Sequence, residues 1–152
     1  MRTVTYLTRV DPDVKYDAQR FASEVDMYLA DPEGWESKGY NFIRVGPRQK
    51  TTNTVIVQLS STSTIARSGC ENPSLSCATM NGTELHVNIV RWMRGSPKSG
   101  LPLDEYRQYI ISHEMGHILG HDHVKCPGPG QPAPIMMQQT LGIGSCVPNT
   151  RV

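Results

Sequence analysis

His113-Glu114-Met115-Gly116-His117-Ile118-Leu119-Gly120-His121-Asp122-His123 holds four of the chain's five histidines and fits the pattern H-E-x-x-H-x-x-G-x-x-H. A helix turns every 3.6 residues or so, which puts His113 and His117 on one face about 6 Å apart along the axis, where both imidazoles can meet one ion. Glu114 follows the first of them, and a carboxylate there can take a proton from a water on the metal's open side. Gly120 stops the helix, because only glycine enters the left-handed conformation at little steric cost. The reversal then brings His123 back as a third ligand and leaves a fourth position for water. The stretch reads as a catalytic zinc site.

A short H-E-x-x-H can also be a solvated helix face carrying two histidines and an acid. The eleven-residue form argues against that, since a glycine stands where the geometry demands one. The third ligand has rivals: a tighter turn after Gly120 would bring in His121 or Asp122 in place of His123, and the residues left over would orient a ligand or face solvent.

With this motif the chain resembles the metzincin clan of zinc metallopeptidases. Downstream, Pro134-Ile135-Met136-Met137-Gln138 is similar to the clan's methionine turn, with Met136 matching its apolar-then-Met order. Methionine is also an ordinary gap-filler in cores. The segments Gly39 to Val45, Arg91-Trp92-Met93-Arg94-Gly95 and Cys126-Pro127-Gly128-Pro129-Gly130 are similar to a group of exported actinobacterial domains in the same clan. The resemblance implies an α+β fold with a small twisted mixed sheet, two main helices and an irregular C-terminal subdomain. It also implies Met136 as an apolar floor under the site, and an extended peptide substrate lying antiparallel to an edge strand. The clan sometimes places a Tyr just after the turn; Met137 and Gln138 stand there here, so no tyrosine role carries over.

Length and charge agree with one catalytic domain over residues 1–152. A chain of 152 residues buries about 70% of its unfolded surface and needs no metal to build a core. Fifteen basic and 14 acidic residues leave a net charge of +1. No basic stripe suggests nucleic acid, no apolar run approaches a membrane span, and a monomer is expected. Met1 to Tyr6 alternate like a strand and lack the apolar core of a signal peptide, which leaves a cytosolic protein or one whose signal or anchor lies outside this sequence.

The cysteines favour an oxidising, extracytoplasmic location. Cys70 and Cys77 form one sequence-local pair and Cys126 and Cys146 the other, each flanked by loop-forming residues. Three connectivities exist, of which local pairing is the simplest. Closing the Cys126 loop would stabilise by about 3 kcal/mol in the chain-entropy model and give the metal site a rigid floor. Free thiols in a reducing cytosol, or a structural zinc on cysteine, are the alternatives.

Along the chain, Val4 to Val10 reads as a strand and Tyr16 to Ala30 as a helix with Phe21, Val25, Tyr28 and Leu29 on one face. Asn41 to Val45 and Thr54 to Leu59 read as strands, and Ser60 to Met80 as a long loop. After the Asn81-Gly82 turn, Glu84 to Trp92 reads as a strand and the candidate edge for substrate. Asp104 is a candidate N-cap for a helix from Glu105 to Leu119. His86 reads as an outward or satisfied histidine, and Tyr106 and Tyr109 as packing.

The function expected is peptide-bond hydrolysis at Zn2+ held by His113, His117 and His123, with Glu114 as base. A non-hydrolytic, zinc-stabilised binding domain is the rival. An iron oxygenase would need Asp122 in place of His123. Nothing in the sequence names the substrate.

Overall fold

The computed structural model describes residues 1–152. In chain order the elements are β1 (Arg2–Val10), α1 (Ala18–Leu29), β2 (Tyr40–Arg44), β3 (Val55–Ser60), α2 (Thr62–Arg67), β4 (Cys77–Ala78), β5 (Glu84–Asn88), α3 (Ile89–Arg94) and α4 (Leu103–Ile118). Beyond α4 the chain is coil except for a short turn of 3-10 helix at Gln139–Leu141. The architecture is α+β. Five strands form one mixed sheet in the order β2-β1-β3-β5-β4, with β4 alone antiparallel to its neighbour.

α1 forms where the periodicity predicts. The Asp17 side chain accepts from the Arg20 N–H at 2.8 Å and caps its start, and Phe21, Ala22, Val25, Tyr28 and Leu29 are buried. Phe21, Val25, Tyr28 and Leu29 share one core with Val57 and Leu59 of β3 and Leu85 and Val87 of β5, whose alternate residues face the opposite side of the sheet. α4 differs from α1 because Tyr109 to Ile118 are buried without interruption. Sheet and α1 cover it on one side and the C-terminal coil on the other, so no solvated face is left to give it an amphipathic signature.

Four sequence expectations fail here for local reasons. The loop expected from Ser60 to Met80 contains α2 and β4. α2 is capped by Ser61, which accepts from the Thr64 N–H at 3.2 Å, and it buries only Ile65, too little to give a periodic signal. The strand expected from Glu84 to Trp92 ends at Asn88, whose side chain accepts from the Val90 and Arg91 N–H groups and starts α3. α4 begins at Leu103 after Pro102, with Asp104 in its first turn, where a carboxylate still favours the positive end of the helix dipole. Finally, β5 is not an edge. β4 pairs along it, Cys77 opposite His86 and Ala78 opposite Leu85, and becomes the edge itself.

The structure joins Cys70 to Cys77 across 6.3 Å between Cα atoms and Cys126 to Cys146 across 5.9 Å. The first pair ties the loop after α2 to the edge strand. The second ties the segment after His123 to the chain end, where Ala133 and Val147 are also joined by a backbone bond of 2.8 Å. Two disulfides fit an oxidising compartment. No helix is long and apolar enough to cross a membrane. Non-reducing peptide mapping of protein made under oxidising conditions should recover these two pairs and no others; free thiols or crossed pairs would refute the arrangement.

Candidate metal centre

The last two turns of α4 carry His113, Glu114, Gly116 and His117. The helix stops as its glycine requires: Gly120 takes a φ of +98°, and the N–H groups of Gly120 and His121 bond back to the carbonyls of His117 and Gly116 at 3.0 and 2.9 Å. A side chain at 120 would also meet Asn81, whose Oδ1 lies 2.5 Å from where a Cβ would be.

This turn separates the rival ligands. The ring of His121 stacks on Trp35 at 4.7 Å between centroids. Asp122 accepts from the His123 backbone N–H at 2.7 Å. His123 turns back to the helix, its Nε2 3.1 Å from Nε2 of His117. One donor atom from each of His113, His117 and His123 lies within 4.8 Å of the others, and the three could hold one metal ion. The His123 loop is held in turn by a bond from the Val124 N–H to the Met136 carbonyl at 3.1 Å.

Proton bookkeeping assigns the tautomers. Nδ1 of His113 lies 2.7 Å from the Ile135 carbonyl, and Nδ1 of His117 lies 2.8 Å from the His121 carbonyl. A carbonyl only accepts, so each Nδ1 carries the hydrogen and each Nε2 keeps its lone pair for a metal. Burial holds His113 far below the usual histidine range, at about 3, and lowers His117 as well. Both are neutral near pH 7, the form that ligates. Glu114 has the opposite shift: burial alone pushes its carboxyl up to about 8.

A cleft of about 410 Å³ opens over these groups. Cys77, Ala78 and Met80 line it from the edge strand and its turn, Tyr109, Ile110 and Glu114 from α4, and Gln138, Thr140 and Leu141 from the segment after Met136. His86 also borders the cleft. It sits between Ser60 Oγ at 2.8 Å and Glu84 Oε1 at 2.6 Å, a satisfied histidine separate from the three.

Pro134 to Met137 form a tight turn closed by the Met137 N–H to the Pro134 carbonyl at 2.9 Å. Met136 is buried, and its thioether packs against Gly116 together with Trp35. Gly116 is therefore needed for close approach, not for conformation. A Cβ there would lie 2.9 Å from Trp35 Cζ2 and closer still to the Met136 sulfur. Gly116→Ala should cost about 1–3 kcal/mol by overpacking and displace the methionine. Thermal unfolding measures it, and a variant as stable as the wild type would mean the turn yields freely. Trp35 was not singled out by the sequence. It lies in a turn region after α1, and its bond to the Ser112 carbonyl at 2.7 Å spans a long stretch of chain that no local pattern encodes.

The family model described as "Protein of unknown function (DUF3152)" matches residues 2–147. The chain belongs to that family. The whole site of this DUF3152 member, from Trp35 to Cys146, falls inside the matched span. No curated protein matches the chain. Among solved structures it is similar to two of myroilysin. One is 16% identical with a TM-score of 0.47, covering 80% of this chain and 48% of that one; the other is 17% identical with a TM-score of 0.49, covering 82% and 46%. The chain thus spans about half the length of these structures.

Proposed function

We propose that the protein is a zinc-dependent endopeptidase of the metzincin type, with residues 1–152 as its catalytic domain. The supporting observation is that three imidazoles, two of them with their Nδ1 hydrogens already engaged by backbone carbonyls, converge beside a buried carboxylate at the wall of an open cleft. Three nitrogen donors from the protein suit a catalytic zinc, which keeps a fourth position open, better than a closed structural site.

When bound, Zn2+ supplies a Lewis acid that polarises the scissile carbonyl and lowers the pKa of water toward about 7. Glu114 accepts the attacking water's proton and passes it to the leaving amine. A carboxyl drawn toward neutral pH by burial suits both transfers, and a nearby dication offsets part of that burial by favouring the ionised form. The non-hydrolytic alternative leaves this buried carboxylate without a use.

The substrate is a peptide or protein segment in extended conformation, held along β4 and not along β5. The Thr79 N–H bonds to the Glu84 carbonyl, so the alternation of an antiparallel ladder turns the Ala78 amide and carbonyl away from β5 and leaves them free for a peptide. A secreted, monomeric protein that binds no nucleic acid completes the reading, supported by the two disulfides and the balanced charge. Incubation with a peptide library should give cleavage that a chelator stops and added zinc restores. Cleavage indifferent to chelator, or none by zinc-loaded protein, would overturn the proposal.

A further inference from the structure

Tyr109 is one helical turn before His113, and its hydroxyl lies at the junction between α4 and the turn that follows Pro134. Three polar groups surround it: the Met137 carbonyl at 2.9 Å, the Gln139 N–H at 2.9 Å and Nδ1 of His113 at 3.3 Å. The hydrogens can be counted. The Met137 carbonyl only accepts, so the hydroxyl donates to it; the Gln139 N–H only donates, so the oxygen accepts from it. One lone pair remains, and it faces the His113 Nδ1–H, which is shared with the Ile135 carbonyl at 2.7 Å. The hydroxyl is thus saturated, with one hydrogen given and two received. The ring is 1% exposed and packs at 5.2 Å from the His113 ring.

We propose that Tyr109 is a positioning residue for His113, fixing both the tautomer and the ring direction of the first metal ligand through a hydroxyl that grips the methionine-bearing turn. The inference rests on the reading of His113 as a ligand. His113 and Tyr109 leave the same side of α4 and hold three backbone groups of one turn: the Ile135 and Met137 carbonyls and the Gln139 N–H. Any movement of that turn is therefore transmitted to the imidazole. Nothing comparable holds His123, which is exposed.

Tyr106 supplies the comparison. Its hydroxyl bonds to Thr140 Oγ1 at 2.9 Å, in the same C-terminal segment, but His113 is not among its partners. Tyr109→Phe should weaken zinc binding by about 10–100-fold, the range for loss of a group that orients a ligand, and should shift or broaden the visible absorption of the cobalt-substituted protein. Tyr106→Phe should leave that spectrum unchanged. An unaltered spectrum and affinity in Tyr109→Phe would overturn the proposal, and so would equal changes in both variants, which would reduce the effect to general anchoring of the segment. If the wild-type chain takes up no zinc, the metal-site reading itself fails, a result distinct from either. The wild type also gives a readout that needs no variant to fold. Nuclear magnetic resonance should find His113 protonated at Nδ1, with that hydrogen close to the Tyr109 hydroxyl proton. A His113 protonated at Nε2, or a Tyr109 hydroxyl in free exchange with solvent, would overturn the assignment.

Discussion

Glu114→Gln should lower peptide hydrolysis by about 10²–10⁴-fold while zinc content and fold are retained. The amide matches the carboxylate in size and can accept a hydrogen bond but cannot take a proton. Because the side chain is buried on the far end of α4 beside the ligands and not among them, its change should leave the three imidazoles in place. The variant should also reveal the cost of the native carboxylate. Burial raises the carboxyl from its ordinary value of about 4.5 to about 8, so the folded, metal-free protein holds the proton more tightly than the unfolded chain does. The sign follows: this group favours neither state below about pH 4.5 and destabilises the fold increasingly as pH rises toward 8. Metal-free Glu114→Gln should therefore be more stable than metal-free wild type at pH 7, with the difference vanishing near pH 4. Turnover and metal content, with thermal unfolding at both pH values, test the two halves. Undiminished hydrolysis would remove Glu114 as base, and a variant less stable at pH 7 would contradict the burial argument.

His123→Ala should lose zinc affinity by more than the roughly 10–100-fold that accompanies loss of a group orienting a ligand, and hydrolysis should fall with it. His121→Ala should keep the metal. The imidazole of His121 lies on Trp35, and the atom by which the residue touches the site is its backbone carbonyl, which alanine retains. Only the stacking on Trp35 is lost. Zinc titration of both variants gives the answer: metal retained in His123→Ala and lost in His121→Ala would reverse the assignment. Asp122, which accepts from the backbone N–H of His123, should behave like His121 on replacement by Asn.

What the sequence determined by itself was local. The spacing of His113 and His117, the glycine at the helix end, the apolar face of α1, the Asn81-Gly82 turn and the closeness of Cys70 to Cys77 each depend on residues within a few turns of helix or one short loop, where backbone geometry leaves few alternatives. Where helix and strand signals coincide over a few residues, sequence alone misled. Glu84 to Trp92 reads as one alternating strand, yet the Asn88 side chain ends the strand and opens a helix that carries Trp92 against Phe21 and Tyr28. Only the tertiary structure sets the rings of His121 and His123 apart, because Trp35 offers His121 a stacking partner from a distant part of the chain while His123 turns back to His113 and His117. It also decided which strand is the edge, since β4 holds too few residues to announce itself before β5 is there to pair with. The hydroxyl of Tyr109 is of the same kind: a tyrosine at helical spacing reads as packing until the turn after Pro134 folds back onto it. Short-range sterics are written in adjacent residues, whereas long-range hydrogen bonds and stacking come into being only when the chain has closed on itself.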